Sequence, residues 1–180
     1  DDDYYTYSQR EEYIYPKFNK VFEAIRFDKA LLHFYKNGEH SRFYGFTIGQ
    51  SLYTPKDITV EEIQPDDRPY SGWLYVGLMS IATDTSRRVR ITSELQLGVI
   101  GKGAGGEFLQ TLTHATLPDD PDPEGWDNQI ASDLLIQYMF RLEDEVIENP
   151  YFGTYSMFEI NAGTGRTYVA LGGLLKLGRI

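Results

Sequence analysis

Apolar and polar side chains alternate along most of this 180-residue chain, with the period of two that belongs to a half-buried strand. In residues 4–16, Thr6, Ser8, Arg10 and Glu12 fall on one face while Tyr5, Tyr7, Tyr13 and Tyr15 fall on the other, which makes a strand with a polar side. Residues 42–54 repeat the period, with Thr47, Gly49 and Ser51 opposite Phe46, Ile48 and Leu52. Further strands are predicted at 70–82, 88–100, 132–147, 151–161 and 167–179. The clearest is the fifth, where Leu134, Ile136, Tyr138, Phe140 and Leu142 alternate with Leu135, Gln137, Met139, Arg141 and Glu143. Most of these segments reach the roughly 9 to 11 residues that a tilted strand needs to cross a bilayer. Apolar outside and polar inside is the natural reading, an all-β, antiparallel, transmembrane up-and-down barrel with aromatic residues near strand ends as interface girdles. A soluble lipocalin-like barrel would invert the faces, and alternation alone does not say which face is inside.

Two segments break the period. Between residues 18 and 36, Phe18, Val21, Phe22, Ala24, Ile25, Leu31 and Leu32 recur at helical spacings, which predicts an amphipathic helical insertion. Such a helix either packs on a barrel end or rests at a membrane interface. A second short helix is predicted at 106–114, after the glycine-rich Gly101-Lys102-Gly103-Ala104-Gly105-Gly106. The acidic, proline-rich stretch 118–124 reads as an exposed loop, and no internal repeat divides the chain.

If hairpins join the strands, strand parity labels the two ends of the barrel. Thr6 starts the first strand, Lys56 follows the second, Asp67 and Arg68 precede the third, Gly101 ends the fourth, and His114 lies in the connection before the fifth. Parity assigns all of them to one rim. The insertion at 18–36 falls at the opposite rim, which in bacterial barrels faces the periplasm.

Composition supports strands and narrows the partners. Fourteen tyrosines, 10 phenylalanines and 17 glycines suit pleated surfaces and tight turns, and the length calls for a single domain. With 27 acidic against 17 basic residues the net charge is −10, which argues against binding nucleic acid or an anionic bilayer by charge alone. The chain has no cysteine, so disulfide and thiolate chemistry are excluded. No stretch approaches the roughly 20 apolar residues of a spanning helix, so membrane crossing would require a barrel. The start at Asp1-Asp2-Asp3, without a signal peptide, fits a processed or trimmed chain.

Of the three histidines, His33 falls in the helical insertion and His40 in the turn Asn37-Gly38-Glu39-His40, where surface or packing roles suffice. His114 follows Gln110 by one helical turn, between the glycine-rich segment and Trp126, and shares its rim with Lys56 and Thr6. An imidazole titrates near neutral pH and can take a proton from water, as ester hydrolysis requires of a general base. A loop-packing histidine is the plainer alternative at this position.

The segment Asp67-Arg68-Pro69-Tyr70-Ser71-Gly72-Trp73-Leu74-Tyr75 precedes Leu97-Gly98-Val99-Ile100-Gly101, then His114, then Gly125-Trp126-Asp127-Asn128-Gln129. In order and spacing this resembles the outer-membrane lipid A 3′-O-deacylases of the LpxR type. The resemblance implies that His114 is the catalytic base, that Lys56 in Tyr53-Thr54-Pro55-Lys56 helps stabilise the oxyanion, and that Thr6 lines the site. It also implies a bacterial outer-membrane location, a lipid A-like membrane glycolipid as substrate and calcium as cofactor. The anionic substrate would give an acidic protein a reason to use a divalent cation.

In the family an Asn-Asp pair linked to calcium lies on a strand before the one that opens this chain, so no metal ligand can be carried over. Residues 1–180 correspond to the middle of a barrel of about twelve strands, incomplete at both ends, since open strand edges are not tolerated in lipid. Asp67, Arg68, Tyr70 and Trp73 match the family signature and are expected to hold the rim together, as are Trp126, Asp127 and Gln129. The rival readings are a non-catalytic barrel acting as a structural or interaction subunit of an envelope complex, with protein partners, and a soluble barrel binding an apolar ligand.

Overall fold

The computed structural model describes residues 6–14, 40–114 and 122–178; the side chains of Thr6, Tyr7, His40 and His114 fall outside the description. The helix expected at 18–36, with His33, lies outside the described residues. Among the described residues there are seven strands: β1 (Thr6–Ile14), β2 (His40–Tyr53), β3 (Ser71–Asp84), β4 (Val89–Ile100), β5 (Asp133–Glu148), β6 (Phe152–Gly163) and β7 (Tyr168–Leu177). They form one sheet in the order β1-β2-β3-β4-β5-β6-β7, the up-and-down arrangement predicted from the alternation. One helix, α1 (Gly106–His114), stands where the second helical segment was expected. His40 is the first residue of β2 rather than part of a turn, because strand pairing extends two residues beyond the apolar run that suggested its start.

Burial follows the alternation with polarity reversed from that of a soluble core. Thr47, Ser51, Glu94, Gln96, Gln137 and Asn161 are buried, while Phe46, Ile48, Leu97, Leu134, Leu171 and Leu177 are exposed. Buried polar groups need partners, and each of these side chains has at least one, although Gln96 Oε1 accepts no hydrogen bond among the described residues. Thr47 Oγ1 donates to Glu94 Oε1 at 2.6 Å, and Gln96 Nε2 donates to the same oxygen at 2.9 Å. A Cβ at Gly77 would collide with both Thr47 Oγ1 and the Glu94 carboxylate, so glycine there makes room for this network.

The chain divides into two compact units. Unit 2 comprises Glu12–Thr47, Gly77–Gln96 and Ile136–Ile180. Its β5–β6 register pairs Arg141 with Glu159, so the guanidinium Nε and Nη2 both reach Glu159 Oε2 at 2.6 Å. The Tyr168 hydroxyl donates to the other carboxylate oxygen, and Gln137 donates to Asn161 Oδ1. Tight turns close this unit: Asp84 Oδ1 accepts from the Ser86 hydroxyl at 2.6 Å and the Arg87 N–H at 3.0 Å, and Arg88 takes a left-handed φ of 58°. Asn149 Oδ1 likewise accepts from the N–H groups of Tyr151 and Phe152, at 2.9 and 3.1 Å. A cavity of about 430 Å³ in this unit is lined by charges that pair with one another, Arg88 with Glu145 and Arg90 with Glu143, each at 3.6 Å.

Unit 1 comprises Asp1–Glu11, Ile48–Val76 and Leu97–Leu135. It carries the long connections β2–β3 and β4–β5, and therefore Lys56, α1 and His114; Thr6 belongs to it through the start of β1.

Candidate active site

A small apolar cluster organises unit 1. Leu52 at the end of β2, Tyr70 before β3 and Trp126 in the β4–β5 connection bury one another, with Ile58 and Leu109 packed against them. The Tyr70 and Trp126 rings lie 4.9 Å apart at 55°, a tilted aromatic pair. Both aromatic residues use their polar atoms. The Tyr70 hydroxyl donates to the Ile58 carbonyl at 2.9 Å, and Trp126 Nε1–H donates to Gln110 Oε1 at 2.7 Å.

The Trp126–Gln110 bond ties α1 to the later part of the same β4–β5 connection, and α1 ends one turn further on, at His114. The start of α1 is held equally closely. Gln50 Nε2 on β2 donates to the Ala104 carbonyl at 2.7 Å, and the Gly101 N–H donates to the Gly72 carbonyl at 2.8 Å. A Cβ on Gly106 would stand 2.6 Å from the Trp126 ring, so the helix can seat against the indole only with glycine at its first residue.

The loop that bears Lys56 is fixed by the Asp67-Arg68 pair of the sequence signature. Asp67 Oδ2 accepts the Lys56 N–H at 2.8 Å, Asp67 Oδ1 accepts the Arg68 N–H at 2.7 Å, and Arg68 Nε donates to the Thr54 carbonyl at 2.6 Å. These side chains clamp backbone, the rim-holding role expected of them. The Lys56 side chain is exposed. Next to it, the Thr59 hydroxyl and N–H bind Asp57 Oδ1 at 2.7 and 3.0 Å and lower the carboxyl's pKa. Burial raises the Tyr70 phenol's pKa, against a backbone hydrogen bond with Gly125 and with added repulsion from Asp57. A cleft of about 220 Å³ opens beside Asp67 and Arg68, lined also by Pro55, Tyr70, Gly125 and Asn128.

Thr6 opens β1, and further along the strand Ser8 bonds to Ser51 of β2 through their hydroxyls at 2.9 Å. Thr6, Lys56, Asp67, Arg68, Gly101 and His114 all belong to unit 1. The remaining signature residues have packing roles: Trp73 lies 6.0 Å from Tyr75, and Gln129 Nε2 donates to the Trp126 carbonyl at 2.9 Å. Asp127 meets Lys102 at 3.9 Å in a fully solvated pair that contributes little. Among the described residues no group of three or more histidine or acidic side chains gathers to hold a metal ion.

A meander of long strands that buries hydroxyls, amides and carboxylates on one face and exposes Leu, Ile and Phe on the other is the wall of an outer-membrane β-barrel. The chain belongs to a family within that class: residues 1–180 match the family described as Outer membrane protein LpxR. Among solved structures it is similar to LpxR from Salmonella typhimurium, with a TM-score of 0.64 and 19% identity over 94% of this chain. The chain spans 62% of that protein's length, and the shared fold is therefore a part of its barrel. A comparison with curated proteins gave no match.

Proposed function

We propose that this protein is an outer-membrane hydrolase that removes an ester-linked acyl chain from lipid A or a similar membrane glycolipid. The observation that carries the reading is that, in a chain of the LpxR family, one compact unit holds Thr6, Lys56 and His114. Its wall is part of a larger barrel, because β1 and β7 stand at the two ends of the strand order and each needs a partner in lipid.

His114 is proposed as the general base. Its imidazole takes a proton from water as the water oxygen bonds to the ester carbonyl carbon. The carbonyl electron pair moves onto oxygen, where the Lys56 ammonium stabilises the oxyanion, and Thr6 lines the pocket. Collapse breaks the bond to the sugar oxygen, which takes the proton from the imidazolium. The products are a fatty acid and a glycolipid with one more free hydroxyl. Calcium dependence is proposed on the family resemblance alone, and no step is assigned to the ion.

The test is mass spectrometry of lipid A from cells expressing the whole protein. Loss of the mass of one ester-linked acyl chain supports the reading, and His114→Ala should restore the unmodified mass. Lipid A of unchanged mass in the presence of correctly inserted protein would contradict it.

A further inference from the structure

Helix α1 sits on the face of the sheet that unit 1 turns toward lipid. Gly72, on which α1 and the turn before it rest, shares its face of β3 with Val76, four residues on and 57% exposed. A Cβ on Gly72 would lie 3.0 Å from the Ala104 side chain and 3.2 Å from the Gly106 nitrogen. Leu52, which also contacts Gly106, shares its face of β2 with the exposed Ile48. Exposed Leu97 and Leu134 complete the apolar band of this unit. A helix covering such a face would be expected to turn a polar side outward if it met only water. Beside the exposed polar Glu107 and Thr111, however, α1 presents Phe108, 74% exposed, and Leu112, 53% exposed, one turn apart on one side. Its buried side is taken by Gln110 and Leu109.

We propose that Phe108 and Leu112 form an apolar shelf immersed in the acyl region of the surrounding bilayer, continuous with the band of Ile48, Val76, Leu97 and Leu134. The occupant is lipid acyl chain. The shelf anchors α1 at the membrane interface and so holds its last residue, His114, at the level where lipid chains join their headgroups. This goes beyond the hydrolase reading: it requires the outer-membrane wall and would hold for an inactive barrel too.

Residues 1–180 contain no cysteine, so single spin labels can be placed cleanly once any cysteine elsewhere in the whole protein is replaced by serine. The whole protein carrying Phe108→Cys or Leu112→Cys, each labelled with a nitroxide, is reconstituted in phosphatidylcholine vesicles, with Asp127→Cys as the solvated reference. Collision with dissolved oxygen and with a water-soluble nickel chelate is then measured. The shelf predicts an oxygen-to-nickel accessibility ratio several-fold higher at 108 and 112 than at 127. A ratio equal to that at 127 would place the face in water, and exclusion of both reagents would place protein over it; either result overturns the proposal. Neither depends on whether lipid is hydrolysed.

Discussion

At the scale of single residues, the Trp126–Gln110 hydrogen bond carries the most weight, because it ties α1 to a later part of the same β4–β5 connection and both partners are buried. Gln110→Ala would leave the indole N–H without its acceptor, at a cost of about 1 to 3 kcal/mol, so the protein should unfold at lower denaturant in a gel-mobility titration. An unchanged midpoint would mean that another group takes over the N–H. Tyr70 gives a pH signature. Its folded pKa is raised above the ordinary 10.0, so its contribution is fully present below about pH 10 and is lost as pH rises through the folded value. Tyr70→Phe should flatten the alkaline limb of a stability-versus-pH curve, and an equally steep limb in the variant would assign that loss to another group. These features were only partly legible beforehand. The signature marked Tyr70 and Trp126 as rim-holding residues, but their meeting with Leu52 joins positions 52, 70 and 126, and no local pattern contains that contact. Leu52 read as an ordinary member of the exposed face of its strand.

At the scale of elements, the strands were the most legible part of the molecule. Each of β1 to β7 lies where a strand was expected, and β1, β2 and β5 lie at segments whose side chains alternate, as a strand with one polar-lined and one lipid-facing side does. Helix α1 was legible from its glycine-rich approach and the helical spacing of Gln110 and His114. Its position on the apolar side was not, because that depends on the close approach of Gly72 and Gly106. The polar network of β2 and β4 has a sequence trace in hindsight: Glu94 and Gln96 alternate with Leu95 and Leu97. Gly77→Val should disrupt it by driving a branched side chain into Thr47 and Glu94. The expected outcome is a reduced folded fraction in heat-modifiability gels, whereas Gly173→Ala, where the nearest atom is 3.5 Å from an added Cβ, should fold normally. Equal folding of the two variants would show that the network can yield.

At the scale of the whole molecule, the exposed apolar face requires lipid and the buried polar face requires a closed wall around it. Val76→Arg, on the lipid-facing side, should destabilise the inserted protein by up to about 2 to 4 kcal/mol if the residue lies near the bilayer midplane. Refolding titrations into vesicles would measure this, and a neutral effect would argue that Val76 does not face lipid. The candidate chemistry was legible only through family signature and strand parity, since Thr6, Lys56 and His114 come from three segments that only the finished sheet brings into one unit. The most direct test is the mass of lipid A extracted from cells that express the whole protein or its His114→Ala variant at equal membrane levels. The wild type is predicted to leave lipid A lighter by one ester-linked acyl chain and the variant to leave it intact; identical lipid A from both would contradict the assignment of His114 as the base.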